Sequence, residues 1–267
     1  MIKNLNNSDI YFPQDERIGF QEDGHIYLLD GERRLTPVSS VYSKFFQPFD
    51  SKKWAERKSE GTPITAAQLM EQWECNGMMA SFAGTHLHKQ IEEYLNGDEF
   101  MAPMCRFTYD GEFIHEDKII GINKEIEYFH NFVKEVDFTP FRTEWRVFDE
   151  ELGMAGTIDL ICSRQDGTYE FYDWKRSKSL IDEQGKVCKT NKFDIRGING
   201  LEHVPDSSYA HYALQQNLYK YIVEKCYGLK ISAMHLVVLH PDYPNYRVIN
   251  IPELSKEINM IINKLKS

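Results

Sequence analysis

The sequence predicts an α/β domain, a central mixed β-sheet flanked by helices, preceded by an N-terminal β-hairpin and helical elaboration. Three observations predict it. Apolar residues recur at helical spacing before residue 137, alternate at a period of two from residue 141 to 176, and return to helix and strand beyond. Helices, then a strand meander, then helix and strand again is the order of one mixed sheet with helices on its faces. We divide the chain into an opening segment, 1–62, and a main domain, 63–267, expected to form one continuous unit.

The elements follow in order. In His25-Ile26-Tyr27-Leu28-Leu29 a short strand runs into the turn dipeptide Asp30-Gly31. Ser39 or Ser40 is expected to cap a helix carrying Val41, Phe45 and Phe46. Residues 63–96 read as helical, with an interruption at Asn76-Gly77. Beyond it Leu87, Ile91, Tyr94 and Leu95 form one apolar stripe, and Asn96-Gly97 is a stop. A second amphipathic helix carries Ile122, Ile126, Phe129, Val133 and Val136.

The period then changes. Phe141, Thr143, Trp145 and Val147 are expected on one strand face, with Arg142, Glu144 and Arg146 on the other. Strands over 154–163 and 168–176 are joined around Gln165-Asp166-Gly167. A helix over 209–224, strands over 231–239 and 246–251, and a helix with Ile258, Ile261, Ile262 and Leu265 complete the chain.

Composition bounds the function. The 267 residues are 42% hydrophobic and 27% charged, ample for a globular core. No run approaches the ~18 apolar residues of a membrane span, so no membrane partner is expected. Met1-Ile2-Lys3-Asn4 lacks the apolar stretch of a secretory leader, which predicts a cytoplasmic location. Cys75, Cys105, Cys162, Cys188 and Cys226 form no CxxC pair, which argues for free thiols and against a structural zinc site. No P-loop is present. Acidic residues number 41 against 31 lysines and arginines, a net charge of −10. Taken alone, that balance argues against a polyanionic partner.

Position matters more than balance. In Asp173-Trp174-Lys175 the aspartate and lysine share a strand face. If Gln165-Asp166-Gly167 is a three-residue hairpin loop with Gly167 left-handed, Arg164 pairs with Thr168. That register sets Asp159 across from Asp173, and a slip of one residue would separate them. Opposed like charges destabilise a sheet, so a cation is expected between them. Lys175 serves in part, and a divalent ion with oxygen ligands serves better. The alternative is a solvated strand face bearing a surface ion pair.

His88 lies on a helix with Gly84 and Glu92 one turn away on the same face. An isolated histidine there is commonly a hydrogen-bonded residue at the core edge. Gly84 costs about 1 kcal/mol relative to alanine and is expected to let another element approach near His88. Gln215 and Tyr219 also share a helix face, which Tyr212 continues. By themselves they carry no signal.

Taken in order, Gly84-Thr85-x-x-His88-x-x-x-Glu92, Gly156-x-Ile158-Asp159, Asp173-x-Lys175 and Gln215-x-x-x-Tyr219 resemble the PD-(D/E)XK nuclease superfamily. More narrowly they resemble its RecB-like branch, which includes phage-type exonucleases and mitochondrial single-strand exonucleases. The motifs span residues 80–220, and four in the family's order are specific where any one is weak. Ile158 stands where the superfamily name has proline, as is usual in this branch. Pro37-Val38-Ser39-Ser40 after the opening hairpin is similar to the start of some phage-type members. The cysteines lack the spacing of the CRISPR-associated relatives, so no iron–sulfur cluster is expected.

The resemblance implies a restriction-endonuclease-like core and a deoxyribonuclease dependent on Mg²⁺ or Mn²⁺. His88, Asp159 and Asp173, with the backbone carbonyl of Trp174, would hold one or two ions. Lys175 would join Asp159 and Asp173 as the catalytic set, orienting or helping to deprotonate the attacking water and stabilising charge on the phosphate. Gln215 and Tyr219 would position the DNA strand or the lysine, with Arg176 and Lys178 as further DNA contacts. Glu92 would fix the metal-side geometry, and Glu144, although able to face the site, is left outside the set. The partner implied is DNA, as ends or single strands, in recombination, repair or phage replication, with any helicase or recombinase acting in trans.

Three other functions compete: a structure-specific or restriction-type endonuclease on the same fold, a catalytically silent nucleic-acid-binding member, and a two-carboxylate sugar hydrolase. The last has no need of Lys175 or of a divalent ion. Residues 175–196 hold seven cations against three acids, a balance of +4 immediately after the proposed catalytic strand. The run is either a solvated loop or a track for a phosphate backbone.

Overall fold

Residues 12–266 are described by the computed structural model, so Met1-Ile2-Lys3-Asn4 lies outside the described residues. The chain opens as an antiparallel meander of β1 (Ile18–Gln21), β2 (Ile26–Leu29) and β3 (Arg33–Pro37). Asp30 and Gly31 turn it in the left-handed region, at φ 53° and 80°. Pro37 ends β3 and begins α1 (Val38–Ser43), so Ser39 and Ser40 lie inside the helix rather than at its cap. Next, α2 (Ser51–Ser59) starts where the Asp50 carboxylate accepts the Lys53 N–H at 3.0 Å.

One helix, α3 (Ala66–Leu95), spans 30 residues without the interruption expected at Asn76-Gly77. A capping box between Thr65 and Gln68 starts it. A single mid-helix glycine costs only about 1 kcal/mol. Packing offsets that, because α2 and a hairpin of β4 (Met104–Asp110) and β5 (His115–Gly121) lie along this half. Glu71 on α3 pins the hairpin turn by accepting the N–H groups of Phe113 (2.9 Å) and Ile114 (2.7 Å).

The remaining elements are α4 (Asn123–Glu135), β6 (Thr139–Asp149), β7 (Met154–Ser163), β8 (Tyr169–Lys175), α5 (Ser208–Ile222), β9 (Ile231–Val238), β10 (Arg247–Asn250) and α6 (Ser255–Lys266). The main sheet runs β1-β2-β3-β7-β8-β9-β10, with β6 also paired to β7. It is mixed: β3–β7 and β8–β9 are parallel and the other pairs antiparallel. One face packs α1, α5 and α6 over Val41, Ile158, Leu214, Leu218 and Ile261. The other packs α4 and the C-terminal half of α3 over Leu87, Ile91, Phe129, Phe132 and Trp174. The protein is therefore α/β, with a mixed multi-stranded sheet flanked by helices. No helix among the described residues is long and apolar enough to cross a membrane.

Strand β7 forks the sheet. On one edge it pairs with β6; on the other, β3 meets it at Met154 and Ala155, and β8 meets it only from Leu160 onward. Residues 156–159 face no strand on that edge. The hairpin has the expected register, with Leu160 opposite Tyr172, Gly167 left-handed at φ 79°, and the Arg164 N–H on the Thr168 carbonyl at 2.9 Å. The ladder ends one residue short of Asp159 and Asp173.

The expected alternation along β6 fails in the middle. A bulge follows Pro140, and Glu144 is left-handed at φ 45°. Phe141, Trp145 and Val147 enter the core beneath α5, but Thr143 pairs with Leu160 and faces the α3 side. The added residue and the kink reverse the phase.

Candidate metal and active site

The fork in the sheet collects four elements. Helix α3 delivers His88, the kink in β6 delivers Glu144, β7 delivers Asp159, and the end of β8 delivers Asp173, Trp174 and Lys175. The His88 Nε2–H donates to the Trp174 carbonyl at 2.9 Å. Its Nδ1 lies 3.4 Å from Asp159 Oδ2 and 3.8 Å from Glu144 Oε1. Where the ladder stops, the Asp159 carboxylate replaces a backbone acceptor and takes the Trp174 N–H at 2.8 Å.

Asp173 turns the other way. Its Oδ2 lies 2.5 Å from Lys175 Nζ, an ion pair whose angle leaves this buried oxygen without a directed hydrogen bond. The Lys175 ammonium also lies 4.6 Å from the centre of the Tyr212 ring. From α5, the Gln215 amide donates to the Tyr219 hydroxyl at 3.0 Å. The Tyr219 ring covers the unpaired edge of β7, where a Cβ on Gly156 would stand 2.3 Å from Tyr219 Cε1. That contact explains the glycine of the second motif: the strand and helix motifs interlock, and only glycine leaves room.

Burial sets the electrostatics. It raises the Asp173 carboxyl, and Lys175 pulls it only partly back, to about 6. Asp159 is likewise raised by burial against the pull of His88. Burial lowers the His88 imidazole, but Asp159 and Glu144 outweigh it and hold it up at about 9. Lys175 is raised too, because Asp173 and Asp159 overcome its burial. The crowded carboxylates thus favour the protonated form of His88, whose Nδ1 faces them.

This donor set fits a divalent cation. One ligand atom each from His88, Glu144 and Asp159 lies within 4.8 Å of the others. Ligands on an octahedral ion with ~2.1 Å bonds are about 3 to 4 Å apart, so a small contraction suffices. The Trp174 carbonyl, expected as a ligand, lies behind the imidazole on Nε2, away from the Nδ1 that faces the carboxylates, and the Asp173 oxygen next to Lys175 has no directed hydrogen bond. The set differs from the expected one in its third side chain: Glu144 faces His88, and Asp173 is held by Lys175. The sequence held a signal for Glu144, its place among Arg142 and Arg146 on a polar strand face, but not the kink that aims it.

A cavity of about 680 Å³ is lined by His88, Glu144, Asp159 and Lys175, together with Gly84, Glu92, Gln215 and Tyr219. Gly84 serves this cavity and no packed element, since nothing lies within 4 Å of where its Cβ would be. Glu92 lines the cavity with its carboxyl raised by burial, but Glu144 is the glutamate facing His88 Nδ1. Lys178 is exposed on the following loop.

Arg176, expected as a DNA contact, is tied to α4. Its Nε donates at 2.7 Å to Glu125, which is 1% exposed at the start of α4. Glu125→Ala leaves that guanidinium without its buried partner and is expected to cost about 3 kcal/mol, read as a lower urea midpoint at unchanged slope.

No protein-family model matches the chain, and no curated protein does. A solved structure described as "Crystal structure of SSO0001" is similar at 12% identity and a TM-score of 0.33, covering 85% of this chain and 71% of that one.

Proposed function

We propose that the protein is a divalent-metal-dependent deoxyribonuclease with a restriction-endonuclease-like core, acting as an exonuclease of the RecB-like kind. One observation carries the reading. The kinked β6, the unpaired stretch of β7 and the end of β8 converge with α3, placing His88, Glu144 and Asp159 around one point and the Asp173–Lys175 pair beside it. A two-carboxylate sugar hydrolase has no use for the imidazole or the lysine.

The cation, Mg²⁺ or Mn²⁺, would be held by His88 through Nδ1 with Glu144 and Asp159, and Asp173 is the further carboxylate near it. When bound it supplies Lewis-acid charge to the phosphate and makes a bound water more acidic. An imidazole among carboxylates favours Mn²⁺ over Mg²⁺. The residues supply the rest. Lys175, held positive by Asp173 and cradled by Tyr212, places a fixed cation beside the phosphate, which narrows its role to charge stabilisation and orientation. Gln215 and Tyr219 wall the cavity on the far side and restrict how a strand can lie.

The test uses end-labelled linear and closed circular DNA, single- and double-stranded, with Mg²⁺, Mn²⁺ or EDTA. The reading predicts release of terminal label from linear DNA with metal, intact circles, and no reaction in EDTA. Opened circles would reassign the protein to the endonucleases. No cleavage of any substrate would overturn the nuclease reading.

A further inference from the structure

We propose that α2 and the loop before α5 form a stacking platform for single-stranded nucleic acid, leading along α3 into the metal site. The destination of that strand rests on the nuclease reading; the platform rests on different residues.

Two of the most exposed large side chains are Phe193 and Phe49, at 68% and 67%. Each pairs with a tryptophan: Phe193 lies 5.6 Å from Trp54, and Phe49 lies 6.2 Å from Trp73. Each tryptophan carries a cation, Arg57 at 5.6 Å over Trp54 and Lys58 at 5.6 Å over Trp73. Trp54 and Lys58 are one turn apart on α2, so a single helix face joins the two aromatic pairs. Scattered exposed phenylalanines need no explanation. Open rings interleaved with cations are what sequence-tolerant binding of a single strand uses, rings for bases and cations for phosphates.

Charge supports the same occupant. In a chain of net charge −10, α2 holds Lys52, Lys53, Arg57 and Lys58 against Glu56 alone. Residues 186–196 hold Lys186, Lys189, Lys192 and Arg196 against Asp194. The Trp54–Phe193 contact brings these two basic segments together. The nearest acids of α3 have other work: Glu71 accepts the N–H groups of Phe113 and Ile114, and Glu74 accepts the Tyr109 hydroxyl at 3.3 Å.

The platform connects to the site along one helix. Trp73, Gly77, Ser81, Gly84 and His88 fall within about 80° of arc on α3, and Trp73 precedes His88 by ~22 Å of rise. At the ~3.4 Å spacing of a stacked strand this is about six nucleotides, fewer if the strand is drawn out. The way is open, since a Cβ on Gly77 or Gly84 would meet nothing within 4 Å.

The experiment measures binding of fluorescein-labelled oligothymidylates, about 4 and about 15 nucleotides long, in EDTA. The double variant Trp54→Ala, Phe193→Ala is compared with wild type and with Trp54→Phe, and circular dichroism checks that all three fold. The proposal predicts about tenfold weaker binding of the long oligomer by the double variant, near-wild-type binding by Trp54→Phe, and weaker wild-type binding of the short oligomer, which cannot reach from the platform to the site. Equal affinity of wild type and double variant for the long oligomer would overturn it. So would a wild type that binds an acidic peptide of equal charge but no oligomer. Metal-dependent cleavage is measured in parallel: cleavage with unchanged binding removes the platform alone. Binding that depends on Trp54 and Phe193 without any cleavage removes the nuclease reading and keeps the platform.

Discussion

Asp173→Asn is expected to abolish metal-dependent DNA cleavage, by on the order of 10³-fold or more, without lowering the stability of the metal-free protein. The two halves of that expectation have one cause. The Asp173 carboxyl is 5% exposed, and burial raises it to about 6, so at neutral pH it is ionised at the expense of the fold. Asparagine keeps the shape and removes the charge. Lys175 gives up its 2.5 Å partner in the same step, but Asp159 still holds the ammonium, so the two changes offset and the melt is expected to stay near that of wild type. A residue present only for structure would give the opposite result, lower stability with little effect on cleavage. The measurement pairs a thermal melt in EDTA at neutral pH with a cleavage assay in Mn²⁺. Retained cleavage would remove Asp173 from the site.

The second large effect is in pH. Asp173 is raised from 3.8 to about 6, so the fold favours its protonated form, and that contribution is lost as pH rises from about 4 to about 6. His88 is raised from 6.5 to about 9, so its contribution is complete below about 6.5 and is lost as pH rises through about 9. Both slopes have the same sign, because in each case the native state holds more protons than the unfolded state. Each shift is worth on the order of 3 kcal/mol between its limits. A bound cation replaces those protons, so the stabilisation given by saturating Mn²⁺ is expected to grow steadily from pH 5 to pH 9. Comparing melts with Mn²⁺ and with EDTA at each pH isolates this site from other titrating groups. A metal effect that is flat across the range would show that the ion binds elsewhere.

How much of this was legible depends on whether local chemistry or tertiary packing decided each feature. The β7–β8 register was legible, because Gly167 can turn left-handed and a slip would invert a buried face. So was the apolar stripe of Leu87, Ile91 and Leu95, which is fully buried as its spacing requires. Continuity of α3 through Gly77 was not, because the packing that offsets the glycine comes from α2 and the β4–β5 hairpin rather than from the helix's own residues. The alternation in β4 and the Asp110-Gly111 turn were present in the sequence as signals for that hairpin.

The site divides in the same way. His88, Asp159, Asp173 and Lys175 could be named from residue type and order. Glu144 could not be placed, since its direction depends on a left-handed kink that glutamate has no intrinsic preference for. The Arg176 ion pair was hidden for a related reason: its neighbour in sequence is Lys175, but its neighbour in space is the buried Glu125. Net charge is the least informative number. The −10 total averages a crowded acidic cleft with two basic segments that only the fold brings together.

The central claim, that His88, Glu144, Asp159 and their neighbours form a divalent-cation site, is tested most directly by Mn²⁺ binding followed by electron paramagnetic resonance. Titrating wild type should remove the free-ion signal until one or two ions are bound per chain, and Asp159→Asn should leave that signal in solution. Wild type that binds no Mn²⁺, or Asp159→Asn that binds it as wild type does, would contradict the account.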